Sequence, residues 1–430
     1  MPEPFPPLII DAGRSVMRML PRSIAEPVRT WWRAWLARRA TAPATPPEDE
    51  LAALREAFAT IGATGIDKPD VNELLHFLRG QALAQLPQGA AHFVSVGCAG
   101  KWYFDWIADK CAPQLHTGIE FYSPKPGDLP PNTAWIANTA GNMEAVADAS
   151  ADILFSGQNI EHLWRDDVAN FLLESHRVLK PGGLIVVDSP NRRITARLNW
   201  SHPEHTIEFT PAEARELLAL AGFDVTRGIG LWLCETGGGE TLPFAEMTTK
   251  GAWPLRRRAL ESRGDLDRSF IWWFEARRAD RAPDAAGLRR RIEQIHVAAW
   301  PERLNRLLTS IGKPVQRNGE TWFDSEGRGG ALVFGPYTAL PAGHHELSMT
   351  VEYPDGPAPG AAPATMHVSG GPDHRVFART EVPAAPAGQA VDVHAAFDLP
   401  DTTFQIQFVI AAPQGTRMLA RKSAVLRSSP

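Results

Sequence analysis

The residues with the clearest chemical content lie at 92–124. An apolar run, Phe93–Val96, ends in the turn Gly97-Cys98-Ala99-Gly100. Trp102, Phe104, Trp106 and Ile107 follow, with Asp105, Asp109 and Lys110 between them. A second apolar run, Thr117-Gly118-Ile119, closes on the carboxylate Glu120. This reads as strand, glycine turn, helix, strand and acid, the opening of a nucleotide-binding α/β sheet. The chemistry follows from residue types. A cofactor lying across strand ends must approach the backbone closely, which Gly97 and Gly100 permit. The helix that follows offers free N–H groups and its positive dipole end. Glu120, at the tip of the neighbouring strand, can accept the two hydroxyls of a ribose. A G-x-x-G turn also occurs as an ordinary tight turn, so these residues alone leave both readings open.

Other elements must position such a site. Residues 50–86 read as two helices with apolar stripes, Leu51, Leu54, Phe58 and Ile61 in the first and Val71, Leu74, Leu75, Leu78 and Leu83 in the second. After Glu120 a proline-rich loop leads to a third strand at 133–137 and a fourth at 152–156. Residues 157–162 open a helix or loop, and 168–179 form an amphipathic helix. Lys180-Pro181-Gly182-Gly183 reads as the turn that stops it, before a fifth strand at 184–187 closed by Asp188. Residues 278–310 are basic and helical. From Pro314 onward, short apolar or alternating runs separated by Gly, Pro and Asp predict an all-β sandwich. The expected organisation is an N-terminal arm and linker (1–47), an α/β domain with leading helices (48–280), a helical connector (281–313) and the sandwich (314–430).

Composition bounds the function. The chain has 430 residues, 44% hydrophobic and 22% charged, ordinary for soluble globular domains. A net charge of −5 supplies no global field for nucleic acid, so no nucleic-acid partner is expected. Three scattered cysteines, Cys98, Cys111 and Cys234, suit neither a disulfide framework nor a zinc site. No apolar run of 18 or more residues and no signal-like h-region is present, so a cytoplasmic location is expected. The segment 14–39 carries seven arginines with Trp31, Trp32 and Trp35. It reads either as a solvated arm or as a peripheral contact with the inner membrane face.

The order and spacing of the α/β segments resemble the class I S-adenosylmethionine-dependent methyltransferases, the small-molecule type with LDVGCGTG-like first motifs. The resemblance covers roughly 67–280 and rests on SHRVLKPGGLIVVD (175–188), DILFSGQNIEHL (152–163) and FTPAEARELLALAGFD (209–224), with the glycine turn. It implies a Rossmann-like seven-stranded sheet. Residues 225–234 and 269–276 would be the antiparallel sixth and seventh strands, and 235–267 an insertion near the active-site mouth. It implies S-adenosyl-L-methionine as cofactor, held by Ser95, Gly97, Cys98, Ala99, Gly100, Glu120, Asn142, Met143 and Gln158. The chain departs from the family at Ser95, where an acid is usual, and at Ala99 and Lys101, where glycines are usual. Asn142 stands where an acid usually approaches the adenine amine, and an amide can serve that edge as donor and acceptor. A degenerate, non-catalytic domain is the alternative these departures leave.

Methyl transfer to a hydroxyl requires removal of its proton, which suits histidine. The candidates are His162, after the fourth strand, and His202 and His205 in SHPEHTIEF (201–209), with Glu204 and Glu208 beside them. Glu161 with these histidines could also ligate a metal, but spacing alone does not bring them together, and no metal is expected. The segment GGALVFGPYTALPAGHHELSMTVEY loosely resembles jelly-roll sandwiches of carbohydrate-binding modules. Trp322 or Tyr337 would then be exposed glycan-binding aromatics; the alternative is a packing or assembly domain. Together these readings imply O-methylation of a sugar hydroxyl in a surface polysaccharide or glycan precursor. The alternatives are a small-metabolite methyltransferase with a structural sandwich, and a non-catalytic glycan-binding scaffold. The implied partner is a small-molecule or saccharide acceptor; oligomeric state is left open.

Overall fold

Strands β1 (Phe93–Val96) and β2 (His116–Ile119) are buried at every residue, as strands covered on both faces must be. The computed structural model describes residues 71–429 except Ser201, Pro203, Thr249, Asn305 and Pro372. The basic arm, the linker and the helix expected at its end lie outside the described residues. The described chain divides into two compact units, with the boundary at Glu293/Gln294.

In the first unit, helix α1 (Val71–Leu83) precedes β1 and α2 (Lys101–Cys111) joins β1 to β2. β3 (Thr133–Ile136) and β4 (Ala151–Gly157) follow, then α3 (Arg165–Val178) and the long β5 (Leu179–Pro190). Short α4 (Arg192–Arg197) and α5 (Pro211–Leu220) lead to β6 (Phe223–Leu233), α6 (Leu255–Glu261) and β7 (Ser269–Arg278). The seven strands lie in the order β3-β2-β1-β4-β5-β7-β6. The first five are parallel, and β7 pairs antiparallel with both β5 and β6. This is the seven-stranded, Rossmann-like order that the resemblance implies. Its strand order reverses between β1 and β4, and ligands of open α/β sheets lie at the carboxyl ends of such a pair.

The packing follows from residue types. A Cβ on Gly118 of β2 would strike the Phe104 ring, so glycine lets α2 seat that ring directly on the sheet. Trp272, Trp273 and Phe274 of β7 are fully buried, each contributing on the order of 1.5–3 kcal/mol. Trp272 satisfies its indole N–H on the Phe209 carbonyl, 2.8 Å away. Helix α5 begins with a full capping box in which Thr210 and Glu213 satisfy each other's backbone N–H, with Pro211 at its first turn.

One local expectation needs correction. Lys180–Gly183 does not form a separate turn between helix and strand. α3 ends at Val178, and the segment is a bulge inside β5: Ala151 pairs with Leu179, but Ile153 already pairs with Leu184. Gly182, at φ +72, absorbs the extra residues.

In the second unit, two five-stranded antiparallel sheets share one apolar core. One is built on Gly330–Val333, Pro336–Leu340, Thr365–Gly370, Arg375–Glu381 and Thr403–Ala412, the other on Lys313–Arg317, Glu320–Asp324, Gly343–Glu352, Ala390–Leu399 and Leu419–Ser429. Ala390–Leu399 shows the alternation of a strand with one dry face. Trp322 is not an exposed aromatic: it is 5% accessible, with the Arg421 and Arg317 guanidinium groups 5.3 and 5.7 Å from its ring centre. Tyr337 is half-buried, packing near Phe334.

Candidate active site

The switch point of the sheet carries the loop Gly97–Gly100 after β1 and Gln158–Asn159 after β4. Gly97 takes φ +71, and a Cβ there would lie 2.6 Å from Asn159 Oδ1. Both its conformation and the approach of the neighbouring loop therefore demand glycine. Gly100 caps α2 without any side-chain hydrogen bond, so the first-turn N–H groups have no side-chain cap and face the crevice end of β1. Gln158 is held at φ +53 by its N–H bonds to the Asp188 carbonyl and Oδ1, both at 3.0 Å. A non-glycine residue in that region stores strain, which commonly marks a site.

Buried polar groups converge here. Ser156 Oγ and Asn159 Nδ2 have no hydrogen-bond partner. Glu120, 6% accessible, accepts the Tyr122 and Ser123 N–H groups on one oxygen at 2.6 and 2.8 Å. Arg79 of α1 forms a buried ion pair with Asp188 at the tip of β5. Burial works against the charge on Arg79, and the Asp188 carboxylate outweighs it. Sequence reasoning missed Arg79, Asn159 and this pair; an arginine on the apolar face of a helix was the available signal.

The structure brings together some of the expected cofactor residues and withdraws others. Ser95 is fully buried and its hydroxyl meets His116 Nε2 at 2.8 Å, a partner on β2 rather than a ligand group. Cys98 is buried, and burial foremost pushes its thiol up. Ala99 is exposed. Asn142 is exposed, with Oδ1 accepting the Glu144 N–H, while Met143 is fully buried and donates its N–H to Glu174.

The three candidate histidines form one cluster. The ring centres of His162 and His205 are 4.7 Å apart, those of His202 and His205 4.6 Å, and those of His162 and His202 5.8 Å. A short 3₁₀ turn after β4, Ile160–His162, supplies Glu161 and His162. The loop before α5 is stitched to it: the Thr206 N–H donates to the Glu161 carbonyl at 2.8 Å. His205 Nδ1 lies 2.8 Å from Glu208 Oε1, and Thr195 of α4 donates to the other Glu208 oxygen at 3.0 Å. Asn191, which caps α4, anchors it by giving its amide to the carbonyls of Leu266, Asp267 and Ser269. Glu161 is fully buried, and neither carboxylate oxygen has a partner in hydrogen-bond geometry; His205 Nε2 is 4.0 Å away. Burial foremost raises the Glu161 carboxyl to about 8, opposed in part by its own N–H and the nearby Ser189 hydroxyl. Half-buried Trp200, which sequence reasoning also missed, borders the cluster, its ring centre 5.7 Å from His205 and 5.0 Å from Phe270.

Residues 94–187 match the family described as "Methyltransferase domain". The chain is therefore similar to S-adenosylmethionine-dependent methyltransferases over this stretch. It is 47% identical over 88 residues to a probable S-adenosylmethionine-dependent methyltransferase of Mycolicibacterium smegmatis, covering 20% of this chain and 33% of that protein. It is 27% identical over 179 residues to a malonyl-[acyl-carrier protein] O-methyltransferase of Dechloromonas aromatica, covering 40% and 65%. The chain thus spans about a third of the length of the M. smegmatis relative. A solved S-adenosylmethionine-dependent methyltransferase of Archaeoglobus fulgidus aligns at 16% identity and TM-score 0.35, over 53% of this chain and 98% of that one.

The relatives named above depend on S-adenosylmethionine, and the residues present here fit that cofactor. A glycine cradle that any Cβ would fill, a helix end without a side-chain cap, the buried Glu120 carboxylate and the unpartnered Ser156 and Asn159 groups all meet at the switch point. Among the described residues, no helix is long and apolar enough to cross a membrane.

Proposed function

We propose that the protein is an S-adenosylmethionine-dependent methyltransferase acting on a hydroxyl group, with a sugar of a surface polysaccharide or glycan precursor as acceptor. The observation that carries this reading is the His205–Glu208 pair beside His162, His202 and the half-buried Trp200. A carboxylate acceptor is already a nucleophile and needs no base. A hydroxyl must lose a proton, and a histidine oriented by a carboxylate serves that need. An aromatic face such as Trp200 suits the apolar C–H face of a sugar ring.

When bound, the cofactor supplies an electrophilic methyl on a sulfonium. The protein's own residues do the rest. Glu120 would hold the ribose hydroxyls, and the N-terminal turn of α2 with the Gly97–Gly100 backbone would take the carboxylate of the methionyl part. The histidine cluster would receive the acceptor's proton as its oxygen takes up the methyl group that the cofactor would supply. Burial between α1 and the sheet tips excludes water from the crevice floor, where Arg79 and Asp188 close it.

The test is calorimetric titration with S-adenosylhomocysteine, followed by an acceptor screen. Micromolar binding that Glu120→Ala weakens about tenfold or more, then methyl transfer to saccharide hydroxyls, is the expected result. Binding with transfer only to non-saccharide acceptors overturns the sugar assignment; no binding by the folded protein overturns the enzyme reading.

A further inference from the structure

We propose that Glu161, His162 and His205 form a binding site for a borderline divalent transition-metal ion of the zinc type, at the acceptor side of the crevice. One ligand atom from each of the three lies within 4.8 Å of the other two. Metal–ligand bonds of about 2.0–2.2 Å place ligand atoms roughly 3–4 Å apart, so the widest separation must contract by up to roughly 1–2 Å.

Three independent features point to a cation rather than to a packed polar cluster. First, the carboxylate of Glu161 is fully buried and aimed into the cluster with no hydrogen-bond partner on either oxygen. An unpaired buried carboxylate is costly, and a dication removes that cost. Second, His205 is oriented as a ligand. Its Nδ1 is engaged by Glu208, itself held by the Thr195 hydroxyl, which leaves Nε2 on the side of Glu161. Carboxylate–histidine pairing of this kind fixes the tautomer of metal-bound imidazoles. Third, two imidazoles and one carboxylate leave a coordination position open, and half-buried His162 lies on the accessible flank. Three protein ligands with an open position is the pattern of catalytic zinc-type sites, and imidazole selects such ions over magnesium and calcium.

The site deepens the hydroxyl-transfer reading and rests on it for its purpose, though not for its existence. With the ion bound, His162 and His205 are ligands rather than bases; an acceptor oxygen in the open position would lose its proton more easily, as metal-bound water does, and His202 is the member of the cluster left to take that proton. Glu208 is then a positioning residue, acting through His205.

The experiment uses the full chain, stripped with a chelator and titrated with Zn²⁺ by calorimetry and with Co²⁺ by visible absorption, without cofactor or acceptor. The proposal expects one ion per chain, cobalt bands of a nitrogen- and oxygen-ligated site, and no competition from millimolar Mg²⁺. Glu161→Gln and His205→Ala should each weaken binding about 100-fold or more, and Glu208→Gln by about 10–100-fold. Glu161→Gln keeps the side-chain volume and polarity, so it should fold, as a thermal melt reports. Absence of binding by the folded wild type overturns the proposal, and so does binding that folded Glu161→Gln retains, which would place the ion on other histidines. S-adenosylhomocysteine titration of the same samples keeps the outcomes apart. Metal binding without cofactor binding sinks the methyltransferase reading and leaves the site. The reverse result sinks the site and leaves the enzyme.

Discussion

Gly97 and Gly89 share a backbone conformation and differ in what a side chain would meet. Gly97 has φ +71 with Asn159 Oδ1 at 2.6 Å from a built Cβ; Gly89 has φ +69 with nothing within 4 Å. Alanine at either position incurs the left-handed penalty of about 1–2 kcal/mol. At Gly97 the carbon–oxygen contact must also open from 2.6 Å to an ordinary separation of roughly 3.4 Å. That forces Asn159 out of the crevice wall or the loop away from the cofactor path. Gly89→Ala should therefore lower stability by about 1–2 kcal/mol and leave S-adenosylhomocysteine affinity unchanged. Gly97→Ala should show a similar stability loss and, in addition, affinity reduced by about tenfold or more, equivalent to about 1.4 kcal/mol. The assays are chemical denaturation for the first quantity and calorimetry for the second. If Gly97→Ala binds the ligand as the wild type does, the cradle at the end of β1 does not hold the cofactor. If both variants lose affinity equally, the effect is backbone strain alone and the Asn159 contact carries nothing.

Two further outcomes follow from buried groups. Arg79→Met leaves the fully buried Asp188 without its counter-ion, and should cost about 3–5 kcal/mol in denaturant unfolding, whereas Arg79→Met with Asp188→Leu should recover much of that loss. His116 is held neutral, burial foremost lowering it to about 3 from its ordinary 6.5. Its folded form binds a proton less readily than its unfolded form, so its contribution is fully present above pH 6.5 and is lost as pH falls toward 3, at about 1.4 kcal/mol per pH unit. Replacing both partners of its buried hydrogen bond, Ser95→Ala with His116→Leu, should flatten that acid limb in unfolding midpoints measured from pH 7 to pH 4; an unchanged slope would refute the assignment.

The sheet was legible in the sequence because most of its parallel strands centre on short apolar runs punctuated by turn residues. The β5 bulge was not legible, since Lys-Pro-Gly-Gly has the same local chemistry whether it ends a helix or swells a strand; only the pairing of Ala151 with Leu179 decides. Whether Trp322 was an exposed or a core aromatic stayed open in the sequence for a related reason. Alternation shows that a strand has two faces, but not which face the opposite sheet will cover. The site divides along the same line. Gly97 and Glu120 announced themselves because their roles depend on local backbone and short spacing. Glu161 and Thr206 are 45 positions apart, and nothing near either residue says that the two loops will bond. The sequence held the histidines as a list of candidates, whereas their chemistry comes from convergence. Glu208 orients His205, Thr195 holds Glu208, and Asn191 anchors the helix that carries Thr195. Each link is an ordinary capping or hydrogen-bonding residue taken alone. The buried Glu161 carboxylate is what such a chain of supports is built around, because a group so costly to bury persists only where something charged is meant to meet it.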